Sequence, residues 1–195
     1  MQVRRQLKEE PVNPVREMTE AFTFTSRTVL TIVGKRPEKA NLQNLASDLG
    51  VSTNVSFIGE VDDDTLASLR HSSAAVVLPS YSEVFDVAIL EAFAANGSVV
   101  ATSTVGAMSV VTDRVSGRIA PFGDSEAVAD AIADLFSNYE AAVEMAEVGH
   151  QLAVSKYSIE AVTESLERLY QSEAPPRIKR PENTVTVSAI GGVLA

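Results

Sequence analysis

Pro79-Ser-Tyr-Ser-Glu83-Val-Phe-Asp-Val87-Ala-Ile-Leu-Glu91-Ala-Phe-Ala-Ala95 is the stretch that decides how this chain is read. It follows the apolar run Ala74 to Leu78, which reads as a strand, and it opens an apolar helix near Val87. Two carboxylates eight positions apart therefore bracket a strand-to-helix turn, Glu83 in the loop and Glu91 about two turns into the helix. In an open α/β sheet the crevice beyond the carboxyl ends of the strands is where ligands bind, and the first amides of a helix face an anion. A carboxylate only accepts hydrogen bonds and so can take two vicinal hydroxyls, while backbone donors suit a diphosphate. A nucleotide sugar carries both. In the blander reading Glu83 merely favours the positive end of the helix and Glu91 lies on a solvated face. Leu90, Ala92 and Phe93 around Glu91 weigh for the ligand reading, because an idle carboxylate is costly to bury in an apolar helix.

Outward from this segment, strands alternate with helices. Asn13-Pro14 reads as an N-cap with proline at the first helical position, opening a helix to about Phe24. Thr28 to Val33 is a β-branched run ended by Gly34, the pattern of a strand buried on both faces. Pro37 begins a helix with Leu42, Leu45, Ala46 and Leu49 on one face, closed by Gly50. Val55 to Ile58 is the next strand, and an Asp of the 62–64 run caps a helix carrying Leu66, Leu69 and Arg70. Strand Ala74–Leu78, helix Val87–Ala95, strand Val99–Thr102, a short helix near Val110 and strand Arg118–Ala120 follow. Asp124 caps a helix with Ala127, Val128, Ala131, Ile132 and Leu135 on one face. Helices over Tyr139–Ser155 and Ser158–Gln171 come last. This order predicts an α/β fold, a doubly wound, Rossmann-like parallel sheet with helices on both faces. The expected organisation is an N-terminal segment with one helix (1–27), the Rossmann-like domain (28–172), and a linker with a short apolar tail (173–195).

Composition bounds the function. The chain has 195 residues, 45% hydrophobic and 22% charged, enough for one well-buried domain. No stretch approaches the roughly 20 apolar residues of a membrane span, and Met1 to Lys8 lacks the apolar core of a signal peptide, so a cytoplasmic protein is expected. With no cysteine and two histidines, disulfides and thiolate metal sites are excluded and a zinc centre has little to work with. No metal or cofactor is assigned. A net charge of −10 argues against a nucleic-acid partner, which needs a basic face, and fits a solubilising acidic surface. Asp62 to Asp64 read as helix capping rather than as a Mg²⁺ site. His71 ends a helix, and His150 lies in an amphipathic helix and is expected at the surface.

Several blocks in order resemble the C-terminal, donor-binding half of the GT-B glycosyltransferases of the group 1 family, over about Thr28 to Tyr170. The anchor is that family's Glu-x7-Glu signature, with Glu83, Phe85, Leu90, Glu91, Ala92, Ala94, Val99, Val100 and Ala101 in register. Ile32-Val-Gly-Lys-Arg-Pro37, Val55-Ser-Phe-Ile-Gly59, Leu78-Pro-Ser80 and Gly117 to Asp124 supply the supporting pieces. The resemblance implies transfer of a hexosyl group, with retention of configuration, from a UDP-, GDP- or ADP-linked sugar. By it Glu83 is the candidate catalytic residue, holding hydroxyls of the donor sugar, and Glu91 accepts hydrogen bonds from the ribose. Amides of Phe85, Asp86 and Val87 face the sugar and β-phosphate, Gly34 begins the loop beside the diphosphate, and Val61 and Asp63 touch the base. Arg36 is a further candidate for a phosphate contact, and Arg4, Arg5 and Lys8 stand near the place of the family's basic pair without its spacing.

Four departures keep a second reading open. Val84 and Asp86 stand where the family has glycines that let the backbone approach the sugar phosphate, and a carboxylate at Asp86 meets the donor's phosphates as a like charge. The family's Gly-Gly-x-x-Glu element reads Gly106-Ala-Met-Ser109, without its glutamate. Nothing before residue 28 is long enough for the acceptor-binding half, so a separate N-terminal subunit is the expected partner. The alternative is a degenerate, non-catalytic donor domain acting as a binding or assembly module. A receiver-like signalling domain ranks below both, since it wants an acidic pair at the end of the first strand and a later strand lysine.

Overall fold

A computed structural model describes residues 28–34 and 38–173 of the chain. The expected helix over Asn13–Phe24, the basic residues Arg4, Arg5, Lys8 and Arg36, and the apolar tail lie outside the described residues.

Among the described residues, five short strands are separated by helices. The strands are β1 (Leu30–Val33), β2 (Val55–Gly59), β3 (Val76–Leu78), β4 (Val99–Thr102) and β5 (Arg118–Ala120); the helices are α1 (Lys39–Asp48), α2 (Asp63–Ser72), α3 (Val87–Ala94), α4 (Val105–Val110), α5 (Ser125–Ser137), α6 (Tyr139–Leu152) and α7 (Ile159–Glu173). Every ladder is parallel: β1 pairs with β2, and β4 lies between β3 and β5. The parallel α/β expectation holds, with one difference. Among the described residues the strands form two sheets, β1-β2 and β3-β4-β5, rather than one. Side-chain packing joins them instead, since Leu30 of β1 lies against the same core as Ala75 and Val77.

The alternation of β4 explains the layering. Val100 and Ala120 turn to one side, where Val128, Ala131, Ile132 and Leu135 of α5 and Ala142 of α6 cover them. Val99 and Ala101 turn to the other, against Ile89, Ala92 and Phe93 of α3 and Ala107 and Val110 of α4. A strand covered on both faces has no solvent side to leave polar, so Val99–Thr102 is buried throughout. Helix α6 closes over α3 through Gly149, where an added Cβ would stand 2.5 Å from the ring of the fully buried Phe93.

Local chemistry sets the helix ends. Asp62, Thr104 and Asp124 each accept from an amide in the first turn of the helix they cap, Thr65 at 2.7 Å, Ala107 at 3.0 Å and Ala127 at 2.9 Å. Helix α3 ends at Asn96 (φ 56°), with Asn96 N–H on Phe93 O and Gly97 N–H on Ala92 O, both 2.9 Å, the double bond of a Schellman close. Helix α6 stops at Leu152 rather than Ser155, and Ala153–Tyr157 continues as one wider π turn. The described residues up to Ser158 form one compact unit, and those from Ile159 to Glu173 belong to another. Within the second, α7 exposes Ile159, Val162, Leu166 and Leu169 along one stripe and carries an Arg168–Glu164 ion pair.

Candidate functional site

The loop between β3 and α3 is fixed at two points. Thr102 at the end of β4 donates its hydroxyl to Ser80 O at 2.6 Å. Further on, the amide of Gly106 in the first turn of α4 donates to Glu83 O at 2.7 Å. Glycine suits this close approach. A Cβ on Gly106 would lie 3.0 Å from Glu83 O and 3.1 Å from the amide nitrogens of Phe85 and Asp86. The retained Gly106 of the Gly-Ala-Met-Ser stretch thus earns its place by close backbone approach.

Glu83 is exposed, three residues before the helix cap. Val84, Phe85 and Val87 are also exposed, at 86%, 48% and 55%, so the loop presents an apolar rim. Phe85 is not a core residue; its ring lies 6.1 Å from that of Tyr157 on the π turn. Asp86 is the cap residue of α3 and is buried at 6% exposure, yet its side chain accepts no bond from the helix. The first amides of α3 are therefore left without a side-chain cap, as an anion site requires.

Glu91 is the fifth residue of α3, one turn from its start rather than two, because the helix begins only at Val87. It is half-exposed, which removes the argument from burial cost, and it is not idle. Its Oε2 takes an ion pair from Arg70 of α2 at 2.7 Å, with the arginine side chain 15% and the glutamate 51% exposed. Arg70 was missed as a site residue because Leu66 and Leu69 make it look like one more position of an amphipathic face. The remaining candidates follow other strands. Gly34 takes φ 112° after β1 and donates to Gly59 O at 2.7 Å. Val61 is half-buried after β2, and Asp63 is the exposed first residue of α2. Among the described residues no hydrogen bond or ion pair joins these three to the Glu83–Glu91 segment.

His71 ends α2 as expected, and His150 departs from the surface position expected of it. His71 Nδ1 meets Ala95 O at 3.0 Å, and His150 Nδ1 meets Phe93 O and Ala94 O, each at 3.1 Å. Both rings hold the carbonyl end of α3, so His150 is a half-buried tether rather than a surface residue. They line one shallow hollow with Ala67, Ser68 and Asn96, away from the loop.

Known proteins place the chain in a family. The family model for glycosyl transferases group 1 matches residues 15–152, and the chain belongs to that family. It is 33% identical over 156 residues to the lipopolysaccharide core biosynthesis glycosyltransferase LpsE of Rhizobium meliloti, covering 80% of this chain and 45% of that protein. It is 35% identical over 131 residues to the D-inositol 3-phosphate glycosyltransferase of Corynebacterium urealyticum, covering 67% of this chain and 31% of the relative. The chain thus spans less than half the length of these curated relatives. Among solved structures, the C-terminal domain of LpcC from Francisella tularensis matches with a TM-score of 0.68 at 24% identity, covering 76% of this chain and 81% of that domain. Anabaena HepE in complex with UDP matches at 0.72 and 21%, covering 87% of this chain and 51% of HepE. The fold is accordingly that of the C-terminal half of a GT-B glycosyltransferase.

Proposed function

We propose that this chain is the donor-binding half of a retaining glycosyltransferase that takes a hexosyl group from a nucleotide sugar. The observation that carries the reading is the pinned loop: Thr102 and Gly106 fix the segment from Ser80 to Asp86, with Glu83 before the uncapped amides of α3 and an arginine-held carboxylate at Glu91 one turn beyond. Glu83 takes hydroxyls of the donor sugar, and Glu91, oriented by Arg70, takes those of the ribose. Amides of Phe85, Asp86 and Val87 face the sugar and β-phosphate, where aligned donors stabilise the charge that grows on the leaving diphosphate. Gly34 and Arg36 serve the diphosphate, and Val61 and Asp63 the base. The acceptor and further catalytic groups come from an N-terminal half, in this polypeptide or another.

Titration calorimetry with UDP-, GDP- and ADP-linked sugars tests this, with Glu91→Ala as control. Micromolar binding of one nucleotide, lost in the variant, supports the donor site. Silent titrations with all three favour the second reading, a non-catalytic module. The observation on its side is Asp86, a buried acid at the place where a phosphate would come.

A further inference from the structure

We infer that Tyr81, braced by Phe122, is an aromatic platform for a pyranose ring at the carboxyl edge of the β3-β4-β5 sheet. The inference rests on the donor-site reading only for the part that Glu83 plays in holding hydroxyls.

Tyr81 stands three residues beyond β3 and Phe122 two beyond β5, with β4 between the two strands. Their rings nevertheless meet, with centroids 4.6 Å apart and planes at 88°. The end of the central strand ties both loops down. Thr102 donates its hydroxyl to Ser80 O at 2.6 Å, and Ser103 Oγ accepts the Phe122 amide at 3.2 Å. On the other side of Tyr81, Glu83 O takes the amide of Gly106 at 2.7 Å. Two consecutive residues at one strand end thus hold the two outer loops where their rings touch.

A single exposed aromatic residue calls for no explanation by itself. Tyr81 is 55% exposed, yet the backbone is pinned on either side of it and its ring is braced. Little conformational freedom is left to lose when a ligand covers it, which is what makes a rigid exposed aromatic a strong contact residue. The edge-to-face arrangement also leaves a surface open. At 88° only one of the two rings can present its face to the other, so Tyr81 keeps at least one face that Phe122 does not cover.

The class of ligand follows from two groups two residues apart in the loop. The face of an aromatic ring is the negative part of its quadrupole and attracts weakly positive C–H groups. A pyranose offers such groups on its flat side and hydroxyls around its rim. Glu83 is exposed, and a carboxylate accepts hydroxyls. A nucleobase or an acyl chain would cover the ring but bring no hydroxyls to the carboxylate. The pyranose has two possible sources, the hexosyl group of the donor and a separate sugar.

Calorimetry of UDP, GDP and ADP against UDP-glucose, GDP-mannose and ADP-glucose tests the first source, on the full chain and on Tyr81→Ala, Tyr81→Phe and Phe122→Leu. Saturation-transfer NMR with methyl α-glucopyranoside and methyl α-mannopyranoside tests the second. If the ring takes the donor's hexosyl group, Tyr81→Ala lowers the affinity of a nucleotide sugar relative to its bare nucleotide about tenfold. Tyr81→Phe then leaves that ratio alone, and Phe122→Leu lowers it without weakening the bare nucleotide. If the ring takes a separate sugar, the ratio is unchanged, and saturation transfer to a methyl glycoside disappears in Tyr81→Ala and persists in Tyr81→Phe. Neither change overturns the platform. So does Tyr81→Phe behaving as Tyr81→Ala does, because the hydroxyl and not the ring is then the contact. Equal weakening of bare nucleotide and nucleotide sugar in Tyr81→Ala also overturns it, because the residue then only shapes the loop. A chain that binds no nucleotide, yet transfers saturation to a methyl glycoside through Tyr81, overturns the donor site and leaves the platform standing.

Discussion

Arg70 and Glu91 form a 2.7 Å ion pair in which the cation is the more deeply placed partner, its side chain 15% exposed against 51% for the glutamate. The last turn of α2 is thereby tied to the first turns of α3. A half-exposed pair of this kind adds about 1 kcal/mol or less to stability. Its larger effect is to fix one carboxylate rotamer. Arg70→Met is expected to lower urea-unfolding stability only slightly while weakening nucleotide binding about tenfold, roughly 1.4 kcal/mol. A binding loss no larger than that of a neutral surface substitution would remove Arg70 from the site.

Gly106→Ala presses a methyl on the backbone of Glu83, Phe85 and Asp86 at 3.0–3.1 Å. The loop has to shift, so nucleotide affinity should fall while the melting temperature changes little.

Gly149→Ala meets a harder obstacle, the ring of Phe93 at 2.5 Å inside the core. Overpacking of this kind costs about 1–3 kcal/mol, measured by urea unfolding. The double substitution with Phe93→Leu should cost less than the sum of the single ones, because the smaller side chain vacates the contested space.

Arg118 on β5 is buried, its side chain 9% exposed, and it bonds to Asp134 of α5 and to Asp113. Asp113 Oδ1 also accepts the amide of Ile119 at 2.9 Å. Asp134→Ala strands part of a buried cation and should cost about 1–2 kcal/mol, discounted because the aspartate is 45% exposed. Arg118→Met removes the charge itself and should cost less, an ordering that chemical denaturation can check.

Acid should loosen the start of α2. Hydrogen bonds from Thr65, hydroxyl first and backbone amide second, hold the Asp62 carboxyl below its ordinary range. A depressed folded-state value means that the contribution is present above the usual carboxylate range and lost as pH falls through the depressed value. Protection of the α2 amides relative to their intrinsic exchange should therefore fall on acidification, and Asp62→Asn, which caps without titrating, should flatten that dependence.

How legible the fold was depended on how local its causes are. Strand β4 lies where its apolar run placed it, because a strand covered on both faces leaves a continuous hydrophobic signature, and Asp62 and Asp124 cap where an acid precedes a helical period. The split between β1-β2 and β3-β4-β5 left no trace in those runs, since hydrogen bonding between strands depends on their approach and not on their composition. In the site, the loop and its two glutamates were visible from spacing. Arg70 was not, because its role comes from the crossing of α2 and α3. Nor was the burial of Asp86, which depends on how the folded loop packs.

The chain has two histidines, and both spend a ring nitrogen on carbonyls at one helix terminus. Carbethoxylation of imidazole, the usual chemical probe for a proton carrier, would here cut moorings. Loss of ligand binding on treatment with such a reagent would report a segment slipping from its berth rather than the removal of a proton carrier.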